Sequence, residues 1–116
     1  MFKDLSNWVQ EIRVGLNCID ASSAAEQIKT AGGTLIDVRE PEEFNNASAD
    51  GAVNIPRGVL EMQIIPTITS PDAPIYLHCA TGGRATFAAK QLVELGYSNV
   101  MVITCPVESV IGSFKQ

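Results

Sequence analysis

Apolar residues recur at Phe2, Leu5, Trp8, Val9 and Ile12, with Lys3, Asp4, Gln10 and Glu11 between them. This spacing predicts an N-terminal amphipathic helix that stops near Gly15, lies across the domain surface and uses Trp8 as a core-facing anchor. Cys18 to Asp20 reads as a short strand. Ser23, followed three residues on by Glu26, reads as a capping box opening a helix that Gly32 and Gly33 close. The run Thr34 to Val38 is short, apolar and rich in β-branched residues, as a strand buried on both faces requires. In the following EPEEF segment Pro41 suits a first helical turn, and the acids beside it suit the positive end of the helix dipole.

Residues 46–51 read as a loop and Ala52 to Ile55 as a further strand. Val59, Leu60, Met62 and Ile64 indicate a brief helix ended by Pro66. Ile75 to Cys79, IYLHC, is a second strand of the buried type, and it runs directly into Gly82 and Gly83. A helix follows, with Phe87, Ala88, Leu92 and Leu95 on its apolar face and Gly96 as its stop. Val100 to Ile103 is one more strand, and Val107, Val110, Ile111 and Phe114 behind Pro106 predict a closing helix. Strands alternating with helices predict an α/β fold with a central, mostly parallel sheet of about five short strands and helices on both faces.

At 116 residues the chain suits one domain, divided here into an N-terminal helix over 1–16 and an α/β unit over 17–116. Eight Lys plus Arg against thirteen Asp plus Glu leave a net charge of −5. Such a surface has no cationic patch for nucleic acid or anionic lipid, so neither is expected as a partner. The first residues carry charges throughout and do not read as a secretory signal, and no segment approaches the roughly 18 uninterrupted apolar residues of a membrane helix. A cytoplasmic location is expected. Cys18, Cys79 and Cys105 are an odd, widely spaced set that matches neither a disulfide framework nor a zinc site, so reduced thiols and no metal or organic cofactor are expected.

Ligands of parallel α/β sheets bind beyond the carboxyl ends of the strands. Cys79 ends a predicted strand there, and Ala80, Thr81, Gly82, Gly83 and Arg84 follow it into a helix. Glycines let backbone N–H groups turn toward an anion, the helix N-terminus adds partial positive charge, and Arg84 adds a full one. The same field favours a thiolate, the reactive form of cysteine. Cys18 has no glycine or basic residue near it and reads as core filler; Cys105, at another predicted strand end, is a candidate modulator facing the same side as Cys79. Asp37 and Arg39, near Glu42 and Glu43, read as an ion-pair network fixing a turn. The sole histidine, His78, should point to the opposite sheet face from Cys79 and reads as a packed core residue.

LIDVREPEEF at 35–44, GAVNIP at 51–56, HCATGGRA at 78–85 and LVELGYSNV at 92–100 stand in the order of a single-domain rhodanese, which the chain resembles over roughly residues 17–104. The resemblance implies a rhodanese-like fold and sulfurtransferase activity. A loop cysteine takes a sulfane sulfur from a donor such as thiosulfate and passes it to a thiol or cyanide. It assigns Cys79 as nucleophile, residues 80–84 as the sulfur-binding loop and Arg84 as an anchor for an anionic donor. Ala47, Ser48 and Ala49 stand where the family usually has glycine, histidine and isoleucine, and Cys105, Pro106 and Val110 replace its customary glycine pair and tryptophan. The resemblance therefore implies an altered pocket rim.

Two other readings stand beside this one. A cysteine phosphatase or arsenate reductase uses a similar loop, one residue longer than the four residues between Cys79 and Arg84. A persulfide carrier or binding module, handing sulfur to a protein acceptor, would keep the same loop without turning over small molecules.

Overall fold

A computed structural model describes residues 1–116. In chain order the elements are α1 (Leu5–Val14), β1 (Asn17–Ile19), α2 (Ala21–Ala31), β2 (Thr34–Asp37), α3 (Pro41–Asn46), β3 (Val53–Asn54), a 3-10 turn (Arg57–Val59), α4 (Leu60–Thr67), β4 (Ile75–His78), α5 (Gly83–Leu95), β5 (Val100–Ile103) and α6 (Val107–Ser113). The five strands form one sheet in the order β1-β5-β4-β2-β3, and every neighbouring pair is parallel.

Alternation along β4 divides the core. Ile75, Leu77 and Cys79 face α4 and α5 within a cluster that includes Leu60, Ile64, Ala85, Ala88 and Leu92. Tyr76 faces the other way, with Leu35, Ile103, Ala21 and Val110, under α2 and α6. From β2 the chain proceeds outward to β3, and from β4 it proceeds to β5 on the other side. The carboxyl ends of β2 and β4 therefore flank the point where the winding reverses, which is where such sheets place ligands.

Several local expectations need correction. The N-cap of α2 is Asp20, whose carboxylate accepts from Ser23 N–H at 2.8 Å, so Ser23 lies in the first turn and does not open a capping box. The capping box is at α3, where Glu40 and Glu43 reciprocate. Pro66 lies inside α4 rather than ending it; the helix runs one residue further, closed by Ile68 N–H on the Ile64 carbonyl. Trp8 is not a core anchor: it is 39% exposed and meets Phe87 of α5 edge-on, with ring centroids 5.0 Å apart. Cys18 is exposed on β1, which is an edge strand of the sheet.

The end of β2 is held by a buried ion pair. Asp37 Oδ2 accepts from Arg39 Nη2 at 2.7 Å, and the same nitrogen reaches the Ala47 carbonyl at 2.7 Å, which fixes the loop after α3. Asn54 Nδ2 donates to the carbonyls of both Asp37 and Arg39. Removing one member leaves the other charge buried without a partner, a loss of about 3 to 5 kcal/mol. Arg39→Ala is expected to lower Tm by roughly 10 to 20 °C in thermal unfolding. An unchanged Tm would show that the pair does not hold this corner.

Candidate active site

Cys79 lies one residue past β4 and is 1% exposed. Its Sγ accepts from Gly82 N–H at 3.1 Å and from Ala85 N–H at 3.3 Å. Both donors come from the loop and the first turn of α5, where amide groups have no intrahelical partner. Gly82 takes a φ of +99°, a conformation that disfavours any residue with a Cβ, and this lets its amide turn back to the sulfur.

The loop carbonyls are held away from that sulfur. Val107 N–H donates to the Ala80 carbonyl at 3.0 Å, and the Gly82 carbonyl accepts from Thr86 N–H at 3.0 Å and Thr86 Oγ1 at 2.7 Å. Because each peptide unit is planar and trans, the N–H groups of Thr81 and Gly83 point opposite to those carbonyls. The amides of Ala80, Thr81, Gly83 and Arg84 donate to no protein acceptor. The result is a small cradle of N–H groups over a buried sulfur, suited to a single anionic atom.

Arg84 leaves the rim of this cradle with a partner that sequence reasoning missed. Its Nη1 and Nη2 meet Glu43 Oε1 and Oε2 at 2.7 and 3.0 Å, a two-pronged pair in which each side chain is a little over a third exposed. Arg84, and after it the Glu40 N–H, hold the Glu43 carboxyl at about 2. Since this value lies below the ordinary carboxylate range, whatever stability the pair provides is complete above that range and is lost as pH falls toward 2. The charge that Arg84 brings to the loop is thus locally balanced. The EPEEF acids carried the signal, because the α3 capping box aims Glu43 Oε1 at both the Glu40 N–H and Arg84.

His78 is fully buried, and its Nε2 lies 3.5 Å from Asp37 Oδ2. Neither ring nitrogen has a protein hydrogen-bond partner. Burial pushes its pKa down against the pull of Asp37, which favours the neutral ring at neutral pH. Adjacent strand residues face opposite ways, so His78 lies across the sheet from Cys79 and is no base for it. Cys105 also departs from expectation. Its Sγ accepts from Ala21 N–H at 3.3 Å, and it packs with the α2 and α6 cluster, away from the cluster that holds Cys79. The turn after β5 directs it under the α2 N-terminus.

A parallel α/β domain with a cysteine under a glycine-loop amide cradle at its winding reversal has the form of a sulfur- or anion-handling domain. The chain belongs to the Rhodanese-like domain family, whose model matches residues 20–109. It is 32% identical over 88 residues to thiosulfate sulfurtransferase 16, chloroplastic, of Arabidopsis thaliana, covering 67% of this chain and 73% of that protein. It is 35% identical over 79 residues to the Meyerozyma guilliermondii adenylyltransferase and sulfurtransferase UBA4, covering 63% of this chain but only 19% of that protein. A solved Rhodopseudomonas palustris protein of unknown function, described as a possible tyrosine phosphatase, superposes with a TM-score of 0.84 over 97% of this chain and 92% of its own. At 20% identity that likeness concerns the fold alone.

Proposed function

We propose that the chain is a sulfurtransferase working through a persulfide on Cys79, with thiosulfate as a competent donor. The Cys79 thiolate attacks the outer sulfur of thiosulfate, a new S–S bond forms, and the donor S–S bond breaks to release sulfite. The outer sulfur of Cys79 now carries the negative charge. A cyanide ion or an acceptor thiolate attacks that sulfur and departs with it, and the Cys79 thiolate returns. No general base is required once the thiol is ionised, which fits a site whose only nearby histidine is buried, neutral and on the opposite face. Reduced, uncoupled thiols suit a cytoplasmic setting.

The observation that carries the reading is the amide cradle. Its donors already converge on Sγ, and the unused N–H groups of Thr81 and Gly83 are available to a second sulfur atom. Phosphoryl transfer would need room for three equatorial oxygens, and the loop holds only four residues between Cys79 and Arg84. The sulfur acceptor in this proposal is a small thiol, cyanide or a protein thiol.

Intact-mass analysis after exposure to thiosulfate tests the reading. The expected result is a gain of one sulfur atom that a reductant reverses and that Cys79→Ser lacks, with no hydrolysis of p-nitrophenyl phosphate. Phosphate hydrolysis by the unmodified protein, without a sulfur adduct, would overturn it in favour of the phosphatase chemistry. A persulfide that forms but turns over only with a protein acceptor would make the chain a carrier.

A further inference from the structure

α1 lies outside the residues matched by the family, yet it reaches the cradle. The helix packs against α5, with Trp8 edge-on to Phe87, and this contact carries Arg13 to the loop. Arg13 Nε donates to Thr86 Oγ1 at 2.9 Å, and Thr86 Oγ1 donates to the Gly82 carbonyl at 2.7 Å. Gly82 in turn donates its own N–H to Cys79 Sγ. Four residues thus form one chain of hydrogen bonds from the N-terminal helix to the candidate nucleophile. The fit is close: a Cβ on Gly82 would collide with Arg13 Nη2.

The charges around the loop are unequal in their pairing. Arg84 is tied to Glu43, and on the opposite sheet face Asp37 is tied to Arg39 beside neutral His78. Arg13 has no carboxylate within 4.0 Å. Its guanidinium is the cation at the loop whose charge no neighbouring acid balances.

We propose that Arg13 is a positioning residue for the sulfur-transfer loop, with two effects. Through Thr86 it fixes the Gly82 carbonyl away from the sulfur, which keeps the Gly83 amide of the same peptide unit aimed at the cradle. Through its unbalanced charge it favours the Cys79 thiolate and an anionic donor. This deepens the reading above, on which its donor preference rests. Gly82 is held to glycine by its φ of +99°, and the flexible end of Arg13 occupies the space a Cβ would take.

The test compares Arg13→Ala, Arg13→Gln, Arg13→Lys and Thr86→Val in the full chain. α1 buries no residue, so the Arg13 variants should keep their Tm. Alkylation of Cys79 by iodoacetamide, a neutral reagent, reports the loop without relying on any sulfur donor. Arg13→Ala should lower its rate at pH 7 about three- to tenfold and leave it unchanged at pH 10, with Arg13→Lys recovering most of the rate and Arg13→Gln little. Thr86→Val should also lower the rate, although the cation remains. Thiosulfate KM should rise in Arg13→Ala, and its dependence on ionic strength should weaken. An alkylation profile across pH identical to wild type in both Arg13→Ala and Thr86→Val would overturn the proposal. If the wild type forms no persulfide from thiosulfate, the sulfurtransferase reading fails while the alkylation comparison still decides the role of Arg13.

Discussion

Cys79→Ser is expected to lower thiosulfate-to-cyanide sulfur transfer by on the order of a thousandfold or more, whereas Cys18→Ser and Cys105→Ser should keep most of it. Serine preserves the shape under the Gly82 and Ala85 amides but has no hydroxyl that ionises near neutral pH. Cys18 lies exposed on the edge strand β1, and the Cys105 sulfur is occupied by Ala21 N–H on the other sheet face. Neither is placed to receive sulfur from Cys79. Steady-state transfer rates of the three variants, with circular dichroism to verify folding, decide the matter. Wild-type turnover in Cys79→Ser would remove the nucleophile assignment.

Arg84→Ala should raise the thiosulfate KM about tenfold or more, for a reason visible only in the folded protein. The substitution deletes a cation and also leaves Glu43 unbalanced beside the loop. A unit negative charge acting on a dianion across partly hydrated protein amounts to roughly 1 to 1.5 kcal/mol, close to a factor of ten. The double variant Glu43→Ala with Arg84→Ala should therefore lie nearer to wild type than Arg84→Ala alone, within about threefold in KM. Arg84→Lys should fall between, since an ammonium does not reproduce the two-pronged pair. Raising ionic strength should narrow every one of these differences, because both side chains are partly exposed. A double variant as impaired as Arg84→Ala would show that Arg84 acts directly on the donor and that Glu43 is incidental.

The residues that define the site chemically are contiguous, and this made them legible in the chain. Cys79 to Arg84 lie between a buried strand and a helix, so local rules for glycine, helix ends and strand ends place the nucleophile and its amides without any long-range contact. Short, nearly continuous apolar runs did the same for the sheet: β2, β4 and β5 are each four residues long and lie almost entirely inside. The opposite orientations of His78 and Cys79 follow from strand geometry alone.

Boundaries were less legible where two signals competed. Asp20 and Ser23 are both good N-caps, and only the position of the helix shows that the aspartate takes the role. Pro66 reads as a stop, yet apolar burial of Leu60 and Ile64 carries α4 through it. An isolated cysteine such as Cys18 gives no sign of lying on an edge strand, because that depends on the strand order β1-β5-β4-β2-β3.

Long-range partnerships were decided by the tertiary structure. Arg84 pairs with Glu43 across 41 positions, and Arg13 meets Thr86 across 73. Hydrophobic period and local propensity act over a few residues and say where a side chain points from its own element. They do not say which distant charge that element will be packed against. Local pattern along the chain is enough for an α/β sheet with a cysteine in an amide-lined loop at a strand end; packing of α3 and α1 onto that loop sets which arginine is neutralised there and which keeps its charge.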